Sequence, residues 1–158
     1  MGVSGSGKTT LGKALAQKPE WDFFDADDFH PPGNIAKMTA GIPLSDSDRA
    51  PWLAALHDQL LFTLSADRHP VLACSALKEA YRTQLLEGLE GMAVIYLKGS
   101  YDLIWSRMSA RERHYMQPQM LQSQFDILEE PKDAVVIDVE MPVKDMIDTI
   151  TKKIEEGY

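Results

Sequence analysis

The stretch Gly2-Val3-Ser4-Gly5-Ser6-Gly7-Lys8-Thr9 has the spacing Gly-x-x-x-x-Gly-Lys-Thr, that of a phosphate-cradling loop. Glycines at 2, 5 and 7 let the backbone turn tightly and aim its N–H groups at phosphate oxygens. A helix starting directly after the loop adds partial positive charge at its N-terminus. Lys8 is then expected to act as a point charge on the β- and γ-phosphates, and the Thr9 hydroxyl to ligate magnesium. Thr10 follows in the first helical turn. Such a loop specifies a nucleotide but not a reaction. The next informative stretch is Asp25-Ala26-Asp27-Asp28-Phe29-His30-Pro31. Phosphoryl transfer to an alcohol uses a carboxylate to hold and deprotonate the hydroxyl, and further oxygen ligands to complete a Mg²⁺ shell. Asp25 and Asp27, two apart on an extended chain, suit these two tasks. The competing reading is an acidic loop that caps a helix beginning near Pro31. His30 can contact substrate or make a structural hydrogen bond.

Three basic groups could face an anionic acceptor. Arg49 sits at a predicted helix start, where the helix dipole disfavours positive charge, which hints at another task. Lys78 and Arg82 are four apart and are expected to share a helix face. Each of these could equally be a solvated surface charge. Farther on, Arg107, Arg111, Arg113 and His114 cluster before an irregular segment. Arginines on a mobile lid can neutralise charge on a triphosphate, whereas the plain alternative is a basic helix end.

The elements that must position these groups alternate between strand and helix. Lys8 to Gln17 reads as a helix with Leu11 and Leu15 on one face, and Asp22 to Phe24 as a strand ending at Asp25. Pro31-Pro32 can open a helix that Gly41 closes. Ser45 and Asp48 form a capping-box pattern before a helix striped by Leu53, Leu56, Leu60 and Leu64. Strands are predicted at Val71 to Cys74, Ala93 to Leu97 and Ala134 to Ile137, and helices at Lys78 to Leu86 and Asp102 to Ala110. Arg111 to Gln124 has no clean period. Val143, Met146, Ile147, Ile150 and Ile154 mark a closing amphipathic helix. This alternation implies a parallel sheet covered on both faces.

The 158 residues suit one domain with a sizeable core. A net charge of −8 argues against a general nucleic-acid binder, though not against a local basic site. No apolar run approaches the ~20 residues of a membrane span. No signal peptide is expected. The single Cys74, in an apolar run, reads as a buried thiol of a reducing compartment.

Several stretches, taken in order, resemble the gluconate kinases (gluconokinases). They are the loop from Met1 to Lys8, Asp25 to Pro31, Asn34-Ile35-Ala36-Lys37-Met38 and Gly41-Ile42-Pro43-Leu44. Asp48-Arg49-x-Pro51-Trp52-Leu53, Cys74-Ser75-Ala76-Leu77-Lys78, Tyr81-Arg82 and Ser123-Gln124-Phe125 continue the series. These enzymes belong with the shikimate- and nucleoside-monophosphate-kinase-like P-loop kinases. The resemblance implies an α/β three-layer sandwich around a parallel sheet of order 2-3-1-4-5. It implies a single domain over 1–158, with an acceptor-binding region at about 25–66 and a lid at about 107–124. The implied reaction is ATP-dependent phosphorylation of the 6-hydroxyl of D-gluconate, giving 6-phospho-D-gluconate. Mg²⁺, a cytoplasmic setting and a homodimer are implied as well, with neither nucleic acid nor membrane as partner.

Carried over by resemblance, Gly2, Val3, Ser4, Gly5, Ser6, Gly7, Lys8, Thr9 and Thr10 bind ATP, together with Arg107 and Arg111. Thr9 and Asp25 serve the metal. Asp27 binds the acceptor hydroxyl as base, with Lys8 as its catalytic counterpart, and His30, Arg49, Lys78 and Arg82 meet the substrate. The chain departs from the family pattern twice. Glu112-Arg113 stands where many relatives have Lys-Gly. Relatives also carry a short apolar strand immediately before the loop, so the expected sheet has its first, central strand missing from this chain. Two other readings stand beside this one. One is a kinase for another small acceptor, such as shikimate or a nucleoside monophosphate. The other is a shortened, non-catalytic nucleotide-binding form.

Overall fold

The computed structural model describes residues 1–110 and 118–157. Strands β1 (Trp21–Asp25), β2 (His69–Ala73), β3 (Ile95–Lys98) and β4 (Val135–Asp138) alternate with helices. The helices are α1 (Lys8–Leu15), α2 (Pro32–Thr39), α3 (Asp46–Ser65), α4 (Glu79–Leu86), α5 (Tyr101–Ser109), α6 (Pro118–Asp126) and α7 (Val143–Glu155). β1 pairs in parallel with β2, from Trp21 opposite His69 to Asp25 opposite Ala73. β3 pairs in parallel with β4, from Ile95 opposite Val135 to Lys98 opposite Asp138.

Successive residues of a strand point to opposite faces, and β2 shows what each face meets. Leu72 packs with Trp52, Leu53, Leu56 and Leu60 of α3 and Leu85 of α4. Val71 packs with Leu11 and Leu15 of α1 and Met146 and Ile150 of α7. Helices therefore cover both sides, and the chain is a three-layer α/β sandwich. A third cluster of Val3, Leu77, Ile104, Met108 and Leu121 closes the end where the phosphate loop lies.

The expected order 2-3-1-4-5 puts one strand between the two ladders. Among the described residues, Met1 and Gly2 bridge that position. The Gly2 N–H donates to Ser75 O at 3.3 Å, and the Leu97 N–H donates to Met1 O at 2.9 Å. The Met1 nitrogen also donates to Ile95 O. A cavity of about 450 Å³ extends from there between the ladders, with Val71, Leu72, Val94 and Ile95 among its lining.

The structure corrects the reading of 111–124 as wholly aperiodic, because Pro118–Asp126 is helical. Leu121 is fully buried and Phe125, one turn on, meets Tyr101 edge-on at 5.7 Å. Two apolar anchors in a Met- and Gln-rich run are too few to give a visible period, yet they suffice once α5 lies beside them. The capping box at Ser45 and Asp48 forms as the spacing predicts.

Trp52 decides where the chain after β1 can go. Its Nε1–H donates to Ala26 O at 2.7 Å, and its ring stacks on His30 with centroids 4.4 Å apart. Trp52 is 4% exposed, so Ala26 O has no ready water to replace that donor. We predict that Trp52→Phe lowers stability by about 1–3 kcal/mol, the cost of a buried carbonyl left unpaired. Urea unfolding followed by circular dichroism measures it; a variant as stable as the parent refutes this role.

Candidate active site

The site is built where the loop after Met1 meets the carboxyl end of β1, the place where open α/β sheets gather ligands. Gly2 has φ +143°, and an added Cβ would stand 2.8 Å from Leu97 O. Gly5 has φ +81°, and its Cβ would stand 2.5 Å from Met108 Cγ. A side chain at either position would strain the backbone and push the loop off the layer beneath it. Ser6 Oγ is buried in this loop without a hydrogen-bond partner among the described residues. An orphaned hydroxyl in a glycine-shaped cradle at a helix N-terminus fits a phosphate-binding site.

Lys8 Nζ donates to Gly2 O and Val3 O, both at 2.9 Å. Burial pushes its pKa below the ordinary lysine value, while the charges of Asp27 and Asp25 act the other way. Thr9 Oγ1 donates to Asp25 Oδ2 at 2.9 Å, and Asp25 Oδ1 accepts from the Asp27 N–H at 3.2 Å. The first turn of α1 and the end of β1 thus share one carboxylate. Thr9 and Asp25 are the pair that could hold a divalent cation, with phosphate and water oxygens completing its shell. No cluster of three or more His, Cys, Asp or Glu suited to a metal occurs among the described residues.

Asp27 stands at the rim, its side chain 89% exposed, with His30 Nε2 4.0 Å from Oδ1. Burial against Trp52 pushes the His30 pKa below the usual histidine value, so the ring is neutral at neutral pH. Beyond His30, the Asn34 amide donates to Asp48 O at 2.9 Å. Lys37 Nζ bonds both Asp48 oxygens, at 2.7 and 2.8 Å.

Arg49 and Lys78 converge on a partner that the sequence reading did not include. Asp46 Oδ1 accepts from Lys78 Nζ at 3.0 Å and from the Tyr81 hydroxyl, and lies 3.8 Å from Arg49 Nη1. Arg49 Nη1 also donates to Leu44 O at 2.6 Å and lies over the Tyr81 ring. The hydrogen bonds from Tyr81 and Lys78 hold the Asp46 carboxyl below the usual range. Asp46, Arg49, Lys78 and Tyr81 were legible as letters, but only the fold of α3 against α4 makes them one cluster.

Arg82 is a correction. Lys78 is the residue before α4, in an extended conformation, so it does not share a helix face with Arg82. Arg82 turns inward, 9% exposed, and its Nη1 donates to Ala76 O at 3.0 Å and Leu77 O at 3.1 Å. It braces the loop between β2 and α4 instead of facing the opening. Arg107 donates to Val139 O at 2.8 Å. Arg111, Arg113, His114 and much of the expected lid lie outside the described residues. Gln124, quoted above only as part of a motif, bonds the phosphate loop, with its Oε1 accepting from the Ser4 N–H at 2.7 Å. Its signal in the sequence was weak, one of several glutamines in a polar run. Cys74 is buried, and burial pushes its thiol up to about 11, which keeps it protonated.

The family model for shikimate kinase matches residues 4–155. A probable gluconokinase of Mus musculus is 49% identical over 148 residues, covering 83% of this chain and 80% of its own. The thermoresistant gluconokinase of Escherichia coli is 41% identical over 161 residues, covering 99% and 92%. The crystal structure of a gluconokinase from Sinorhizobium meliloti superposes with a TM-score of 0.86 at 41% identity, covering 99% of this chain and 89% of that one.

The Asp48 anchor carries a pH signature. Hydrogen bonds from Lys37 and Ser45 hold its carboxyl far below the ordinary range. A depressed folded pKa means that the unfolded chain binds the proton first, so this stabilisation is full above about pH 4 and is lost as pH falls further. Asp48→Asn should therefore be less stable than the parent at pH 7, with the gap closing below about pH 4. Urea midpoints across pH 2.5–7 read this, and a pH-independent gap contradicts it.

Proposed function

Because the chain belongs to the gluconokinases of the shikimate kinase family, we propose that it transfers the γ-phosphoryl group of ATP to the 6-hydroxyl of D-gluconate. The observation that carries this reading is the Thr9–Asp25 hydrogen bond, which joins the phosphate loop to the acceptor side through one carboxylate. Gly2 to Thr10 supply backbone donors and the Lys8 charge for the nucleotide phosphates. Thr9 and Asp25 hold Mg²⁺, which when bound neutralises phosphate charge. Asp27, at the rim beside His30, accepts the proton of the attacking hydroxyl. Arg49 and Lys78 take the acceptor's carboxylate or hydroxyls, and His30 orients it as a neutral hydrogen-bonding group. Arg82 supports the loop that carries Lys78 instead of touching substrate. Arg107 and Arg111 belong to the nucleotide side of this reading. Positioning and fixed charge do most of the catalytic work.

We also read the chain as one kinase domain, cytoplasmic and homodimeric. The buried reduced Cys74 suits a reducing compartment. Phe62 and Leu61, exposed on α3, suit a covered apolar face. No described helix is long and apolar enough to cross a membrane.

A coupled assay for 6-phosphogluconate with ATP and Mg²⁺ tests the reaction. Turnover of gluconate, and none of shikimate, is the expected result; the reverse sinks the assignment. Lys8→Ala should lose at least about a hundredfold in kcat with the fold intact, since it removes a charge aimed at the transferring group. Asp27→Asn should keep ATP affinity and lose about 10²–10⁴-fold in turnover. Parent-like turnover in Asp27→Asn removes it as the base.

A further inference from the structure

The segment from α6 to residue 129 touches both halves of the site, yet no role in the reaction has been given to it. Gln124 is the point of contact on the nucleotide side. Its Oε1 accepts from the Ser4 N–H at 2.7 Å, and its Nε2 donates to Ser4 Oγ at 3.0 Å. One side-chain amide thus occupies a backbone donor and a hydroxyl of the same loop residue, 120 positions away in sequence. The helix is held in place to do so. Leu121, three residues earlier on the same face, is fully buried in the cluster that contains Val3. Phe125 packs on Tyr101. Just past the helix, the Glu129 N–H donates to Leu77 O at 2.9 Å, and Glu129 Oε2 accepts from the Glu79 N–H at 2.6 Å. The same short segment therefore grips Ser4 on one side and the two neighbours of Lys78 on the other.

We propose that Gln124 is a positioning residue of the phosphoryl-transfer site, setting the conformation of the phosphate loop through its paired hydrogen bonds to Ser4. Ser4 precedes Gly5, where the backbone enters the left-handed region and passes closest to α5. With Gln124 in place, the Ser4 amide is committed outward to α6, and its peptide plane is fixed. Without it, that part-buried N–H lacks its partner, and the peptide can rotate to find water or another carbonyl. Rotation there would misdirect the donors that follow at 5 to 9. Gln124 touches no reacting atom in this scheme; it acts through Ser4.

The proposal rests on reading residues 2–9 as the ATP loop. Turnover of gluconate by the parent chain tests that reading separately. The test of Gln124 compares Gln124→Met, which keeps length and volume but makes neither bond, with Gln124→Ala. Calorimetric ATP affinity, the two KM values and Tm are measured for each. The expected result for both is a rise of about tenfold in Kd and KM for ATP, as befits two lost hydrogen bonds. The KM for gluconate should stay within about twofold and Tm within a few degrees. On a Ser4→Ala background, the effect of Gln124→Met should shrink, because one of its two targets is already gone. ATP affinity within about twofold of the parent in Gln124→Met overturns the proposal. So does a loss shared equally by both substrates and accompanied by a fall in Tm, which would mark a purely structural role.

Discussion

Lys8 is a partly buried cation, and the rest of the site is arranged so that it can remain one. Burial lowers its pKa, because a desolvated ammonium loses hydration that few protein contacts replace. Two loop carbonyls, of Gly2 and Val3, supply hydrogen bonds to the charged form. Asp25 and Asp27 add a negative potential from the end of β1. These compensations depend on each other. The carbonyls point at Nζ only because the loop turns through left-handed glycines, and the carboxylates are near only because β1 stops at Asp25. The same carboxylate that steadies Lys8 also accepts from Thr9, so charge, metal ligand and strand end are tied into one unit.

The acceptor side follows a similar rule with the signs interleaved. α3 begins with Asp46, Ser47, Asp48 and Arg49, and the two acids do different work. Asp48 looks inward, closing the capping box and taking both bonds from Lys37. Asp46 looks outward and collects Lys78, Tyr81 and the edge of Arg49. The first fixes where the helix starts and hence where Trp52 and His30 stack. The second holds the basic groups of the opening together, yet it is largely exposed, and exposed ion pairs are weak. A chain with net charge −8 can thus present a basic corner whose cations are neutralised locally by a loosely held carboxylate.

Most of this was legible where local chemistry decides the outcome. The loop spacing at 2–9, the strand ending at Asp25, the capping box at Ser45 and the leucine stripe of α3 are set by nearby residues, and they appear in the structure as the letters suggest. What was not legible depends on distant partners. Arg82 reads as a surface base four residues after Lys78. It turns inward because the carbonyls of Ala76 and Leu77 lie open beneath it, a fact of the β2–α4 loop and not of any spacing. The helix at Pro118–Asp126 has only Leu121 and Phe125 to announce it, and its stability comes from α5 and the loop it covers. Lys78 reads as helical and is the extended residue before the helix, because Glu129 caps the Glu79 N–H from outside.

The contrast between Lys78 and Arg82 shows how one short loop divides labour between chemistry and support. Both are basic and four residues apart, so a helical geometry would have aimed both at the same ligand. An extended Lys78 breaks that symmetry by one residue: its side chain goes over the Tyr81 ring to Asp46, while Arg82 goes under the loop to the carbonyls. An arginine suits the buried task, since its Nη1 amino group donates to both carbonyls and its weaker hydration makes burial less costly. A lysine suits the open task, since a compact, mobile ammonium can exchange one carboxylate for another. The loop can therefore be rigid below and adaptable above, and Ala76, at φ +41°, marks the turn where the chain changes from one duty to the other.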